Sequence, residues 1–161
     1  MEKHSVTHST FVIERNFPAA PERVFAAFSD PAQKRRWFAD GERGQAEEYK
    51  LDFRIGGSEH TRRRIDAGPF KGAPLTNDSI YQDIVANRRV VIAYTMTLGE
   101  KRISASQATF EFLPEGKGTA LTFTEQSAFF EGGDGPEMRK QGWEWLLGQL
   151  EKFLAGSLGK N

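Results

Sequence analysis

The sequence predicts an α+β domain: an antiparallel sheet of about seven strands laid against one long C-terminal helix, with two short helices after strand 1. Three observations carry that reading. Apolar and polar residues alternate with a period of about two over residues 10–17 and again through the middle of the chain. Beyond residue 136 the period changes to about 3.6. Short steps containing Gly, Asn or Pro separate the alternating runs at hairpin spacing.

Residues 1–9 are polar and read as a frayed lead-in to a single domain over residues 10–158. From Thr10, the residues Phe11, Ile13, Arg15 and Phe17 share one face of a strand, and Val12, Glu14 and Asn16 share the other. Pro18 and Pro21 end it. Pro21 suits a first helical turn, where its missing N–H is no loss, and Val24, Phe25 and Phe28 follow at helical spacing. Ser29-Asp30-Pro31 repeats the start signal, and a second short helix runs to Trp37 and Phe38. Strands are expected at 46–53, 58–65, 78–85, 89–98, 103–113 and 118–126. Gly56-Gly57, Asn87-Arg88, Gly99-Glu100-Lys101 and the segment 114–118 supply the turns between them. The segment 66–77 is rich in Gly and Pro and too long for a tight hairpin, so it reads as a flexible loop or lid. After the glycine-rich segment 131–136, the residues Met138, Gly142, Trp143, Leu146, Leu147, Leu150, Phe153 and Leu154 form one apolar stripe of a long helix.

At 161 residues the chain suits one domain that buries roughly 70% of its unfolded surface. The 22 Lys and Arg balance the 22 Asp and Glu, so no net field attracts a nucleic acid or an anionic membrane. The absence of cysteine excludes disulfides, zinc-thiolate sites and thiol catalysis. No apolar leader follows Met1 and no run of about 18 apolar residues occurs, which predicts a cytoplasmic protein with no membrane partner. His4, His8 and His60 lack metal-ligand spacing, and no phosphate loop or nucleophile elbow is present. Neither a metal nor another cofactor is therefore expected. The basic triplets Lys34-Arg35-Arg36 and Arg62-Arg63-Arg64 read as solvated surface.

Several short signatures occur in a fixed order: the run from Phe17 to Phe28, Asp30-Pro31, Arg36-Trp37-Phe38, the run Asp52 to Gly57, Gly118 to Phe123, and Gly142-Trp143. In these residues, over about 10–155, the chain resembles the START-like (SRPBCC) superfamily and within it the family of activator of heat-shock-protein-90 ATPase homologues. The resemblance implies a helix-grip fold, in which a curved sheet wraps the last helix. It also implies a cavity between them, where relatives hold lipids, hormones or polyketides and a few catalyse aromatase or cyclase reactions.

If the sheet's concave face meets the helix, strand parity names the lining. Val90, Ile92, Tyr94 and Met96 share a face, as do Ser104, Ser106, Ala108, Phe110 and Phe112, and Leu121, Phe123 and Glu125. Trp37, Phe38, Trp143, Leu146 and Leu147 would close the space; taken one by one, such aromatics fill cores more often than they touch ligands. Arg15 and Glu125 fall on inward faces, and as first and last strands are neighbours in such a sheet, an Arg15–Glu125 pair is expected. One of Glu59 and His60 must also face inward. His60 is the histidine best placed for proton transfer, and Glu59, His60 and Glu125 are the acid–base candidates.

The leading expectation is a protein that binds a small hydrophobic or aromatic metabolite, oriented by Arg15, Glu59, Tyr94 and Glu125. A cyclase, dehydratase or hydrolase using the inward carboxylates is the enzymatic alternative. A co-chaperone or other protein-interaction module is the third, and edge strands would allow a homodimer.

Overall fold

The computed structural model describes residues 5–156 and 158; expectations that fall on residues 1–4, 157 and 159–161 lie outside the described residues. Strand β1 (Thr7–Phe17) leads into helix α1 (Pro21–Ser29) and the single turn α2 (Pro31–Lys34), which continues as a π-helical turn over Arg35–Ala39. Strands β2 (Glu48–Leu51), β3 (Ser58–Arg64), β4 (Pro74–Val85), β5 (Arg89–Leu98), β6 (Lys101–Glu115) and β7 (Gly118–Phe129) follow, then helix α3 (Gly135–Leu154). All seven strands form one antiparallel sheet in the order β1-β7-β6-β5-β4-β3-β2. This is the helix-grip architecture expected from the sequence.

Local chemistry explains the joints. Asp30 accepts the Ala32 N–H at 2.9 Å, which caps α2 behind Pro31. In the π turn the Asp40 N–H donates to the Arg35 carbonyl at 2.7 Å, and the Trp37 indole donates to the Ala27 carbonyl at 2.8 Å, locking α1 to the turn. A side chain at Gly57 would bring its Cβ to 2.2 Å from the Asp52 carbonyl oxygen, and one at Gly118 to 2.3 Å from that of Phe17, so both sites need glycine for close backbone approach. Register shifts at Gln82 in β4 and Ile103 in β6 add local twist to the sheet.

Four expectations are corrected. The first strand starts at Thr7, paired with Phe129, which shortens the lead-in expected over residues 1–9. The strand expected over 46–53 keeps only Glu48–Leu51. The lid expected over 66–77 gives way to a shorter connection, because Leu75, Thr76 and Asn77 find ladder partners in both β3 and β5. The connection is itself tied, with Gly72 N–H donating to the Ile65 carbonyl at 2.8 Å and Ile65 N–H to the Ala73 carbonyl at 3.0 Å. Met138 is 64% exposed, since Arg139, four residues before Trp143, holds the sheet-facing position instead.

The core gathers Phe17, Val24 and Phe28 with Trp37, Phe110, Phe112, Leu147 and Leu150 under α1 and the C-terminal half of α3. The Phe28 ring sits 5.0–5.2 Å from those of Trp37, Phe110 and Phe112, at tilted or edge-on angles. Among the described residues no helix is long and apolar enough to cross a membrane.

Candidate functional site

Between the N-terminal half of α3 and the strands β3, β4 and β5 lies a partly open cavity of about 450 Å³. Phe38, Leu75, Met96, Met138, Trp143, Trp145 and Leu146 supply its apolar lining, and Arg43, Thr61, Arg63, Asn77, Tyr94, Asp134, Arg139 and Gln141 its polar lining. Gly142 also lines it, and a Cβ there would meet nothing within 4 Å.

Strand register sets which residues form the wall. On the inner face Glu59, Ser79, Tyr94, Ser106 and Ser127 are successive cross-strand partners from β3 to β7, and Thr61, Asn77, Met96 and Ser104 form the next rung. This end of the sheet is therefore polar although buried.

Around Tyr94 its groups satisfy one another. Tyr94 donates a very short hydrogen bond to Glu125 and accepts from the Trp143 indole at 3.2 Å and from Arg139 at 3.1 Å. Trp143 also reaches Glu125 at 3.1 Å, and Ser127 donates to it at 2.9 Å. Arg139 donates to Ser104 at 2.8 Å and forms a two-pronged pair with Asp134 at 2.7 and 2.9 Å, which ties the glycine-rich segment to the helix it precedes. Burial raises the Glu125 carboxyl above its ordinary value, against the pull of the Tyr94 hydrogen bond and the Arg139 charge. Burial and the neighbouring Glu125 charge push the Tyr94 phenol up as well.

A second buried cluster lies toward the β2 edge. Lys34 and Glu59, each 3% exposed, are 2.8 Å apart, and Tyr49 and Tyr81 donate to the same carboxylate at 2.7 and 3.3 Å. The Lys34 ammonium also stands 4.5 Å from the Phe38 ring centroid. Burial raises both tyrosines, with Glu59 adding to the effect. Lys34 is thus no part of a solvated basic face.

The residues singled out from sequence separate into three groups. Phe38, Tyr94, Met96, Trp143 and Leu146 line the cavity. Trp37, Ile92, Phe110, Phe112, Phe123 and Leu147 are packed into the core beside it, and Glu125 is 0% exposed behind Tyr94. Glu59 faces inward but belongs to the Lys34 cluster, while His60 points to the opposite face, between Asp78 at 2.6 Å and Glu48 at 2.7 Å. The Asp78 hydrogen bond leads the contacts that raise the His60 imidazole above its ordinary value. The expected Arg15–Glu125 pair does not form. In the β1–β7 register Phe11 is opposite Glu125 and Arg15 opposite Leu121, a displacement of about 13 Å along the strand. Arg15 instead donates to the Glu144 carbonyl at 3.0 Å. Sequence reasoning missed Arg139, Arg63, Thr61 and Asn77; helical spacing from Trp143 and strand parity with Glu59 carried the signal for the first three.

The family profile described as "Activator of Hsp90 ATPase homolog 1-like protein" matches residues 18–155. An uncharacterised protein from Rhizobium leguminosarum has a similar solved structure, 45% identical, with TM-score 0.87 over 94% of this chain and 97% of that one. A Rhizobium loti protein is also 45% identical, with TM-score 0.82 over 93% and 99%. CalU16 from Micromonospora echinospora shares the fold at 20% identity and TM-score 0.60, over 94% of this chain and 87% of that one. No curated protein matches the chain. With most of its length matched and the helix-grip architecture in place, the chain belongs to the activator of Hsp90 ATPase homolog 1-like family.

Proposed function

We propose that the protein binds a small molecule in the cavity between the sheet and α3, with the molecule's flat apolar body against Phe38, Met96, Trp143 and Leu146. The cavity itself carries the reading: about 450 Å³ falls within the range of roughly 300–1,000 Å³ typical of ligand sites. One wall is fixed by the Tyr94–Glu125–Arg139–Trp143 hydrogen bonds, so it is preorganised against collapse. Glu59, His60 and Glu125 all lie outside this lining, so none of the three acid–base candidates reaches a molecule held there.

Gly142 provides the test. Gly142→Phe puts a ring into the open space beside the helix, and loss of a mid-helix glycine favours the helix by a few tenths of a kcal/mol. Native mass spectrometry of gently purified protein, followed by denaturing extraction, is expected to find a defined small molecule on the wild type and none on Gly142→Phe. Equal retention by both would remove the cavity as the binding site.

A further inference from the structure

Resting on that reading, we propose that the cavity's β3 end is a carboxylate subsite, in which Arg63 and Arg43, with the Thr61 hydroxyl, hold the acid group of the bound molecule. The ligand class is then an aromatic or otherwise flat apolar monocarboxylic acid.

Three consecutive arginines on β3 make the case by contrast. Alternation turns Arg62 and Arg64 away from the cavity, and both pair with Glu47, at 3.4 and 2.7 Å. Arg63 turns inward to the cavity, and among the described residues it pairs with no carboxylate; its one hydrogen bond goes to the Ala39 carbonyl, through Nη2. Asp40 and Asp66 act on it only through space, and Asp40 is held by Arg35 at 2.9 Å and by the Ala46 N–H at 2.9 Å. Arg43 adds a second positive charge on the same end. Its guanidinium lies 3.9 Å from the Trp145 ring centroid, and among the described residues it also lacks a carboxylate partner. Burial, then the Arg43 charge, lowers the Arg63 guanidinium from its ordinary value. The third cavity arginine, Arg139, shows what a satisfied partner looks like here, with its fork closed on Asp134.

An independent observation points the same way. Thr61 is 5% exposed, lines the cavity, and its hydroxyl has no hydrogen-bond partner. Buried hydroxyls are ordinarily partnered, because an unmade bond carries the desolvation cost with nothing in return. A planar carboxylate would accept from the Arg63 fork and from Thr61 together, and would neutralise a like-charged pair.

Titration with 2-naphthoate and its uncharged amide, 2-naphthamide, followed by tryptophan fluorescence at neutral pH, tests the assignment. The wild type is expected to prefer the acid by about 10- to 100-fold, the range of one charge-assisted hydrogen-bonded pair. Arg63→Met should remove most of the preference for the acid, and Arg63→Lys should fall between. Arg43→Met, at an exposed position where folding is not at stake, should narrow the preference as well. Equal binding of both probes to the wild type overturns the subsite and leaves the binding cavity standing. Binding of neither overturns both readings, and tighter binding of 2-naphthyl phosphate than of 2-naphthoate overturns the carboxylate assignment.

Discussion

Strands β5, β6 and β7 run through both ends of the sheet's inner face, yet its two halves solve burial in opposite ways. At one end Val90, Phe110, Phe123 and Ile13 are successive partners across β5, β6, β7 and β1, and they are sealed by α1 and the C-terminal half of α3. At the other, the rung Glu59, Ser79, Tyr94, Ser106 and Ser127 is equally withdrawn from water but polar throughout. Apolar side chains close space by interdigitating, since dispersion has no preferred direction. Hydrogen-bonded side chains must keep fixed distances and angles, so a network such as Tyr94–Glu125–Arg139 stands as a rigid wall and does not fill the void in front of it. The cavity accordingly sits against the polar half.

The comparison can be broken first on the apolar side. Phe28→Ala removes a ring packed against Trp37, Phe110 and Phe112 and should cost about 4 kcal/mol in urea unfolding. A loss under about 1 kcal/mol would mean that this half is no better packed than the other. On the polar side the cost should come from broken pairing. Lys34→Met leaves Glu59 buried with only tyrosine donors and should cost about 3 kcal/mol, whereas adding Glu59→Gln should recover much of that loss. A double variant as unstable as the sum of the two singles would show that the pair is not the source.

The smallest effect is a slope. Because burial raises the Glu125 carboxyl above its ordinary 4.5, the folded chain keeps a proton that the unfolded chain releases. Its stabilising contribution is full below 4.5 and is lost as pH rises through the folded value. Glu125→Gln cannot titrate, so the stability of the wild type relative to this variant should decline with rising pH above 4.5. A difference that grows with pH would reverse the assigned direction.

Much of the fold was legible because it rests on local rules. Pro21 and Asp30-Pro31 mark the helix starts where the structure has them, and Asn87 and Gly99 turn the chain with positive φ at the expected hairpins. Gly57 and Gly118, conspicuous in sequence, prove to be points of backbone contact. The site was legible only by parity. Alternation placed Tyr94, Met96 and Glu125 on the inner face and left Glu59 and His60 as alternatives, but parity does not say how far along a strand a residue lies from its partner.

That longitudinal distance is what the tertiary structure decided. The sequence by itself determined the order of elements, the inward face of most strands and most of the apolar stripe of α3, since each depends on periodicities of a few residues. Only the packed register put Phe11 rather than Arg15 opposite Glu125, brought Arg139 across to Tyr94, and seated Lys34 on Glu59. Those partners lie 25 to 45 residues apart in the chain or on different strands, and no local period connects them. Charge pairing in a buried face is settled by geometry after the backbone has closed, because only then does each desolvated group have a finite set of partners within reach.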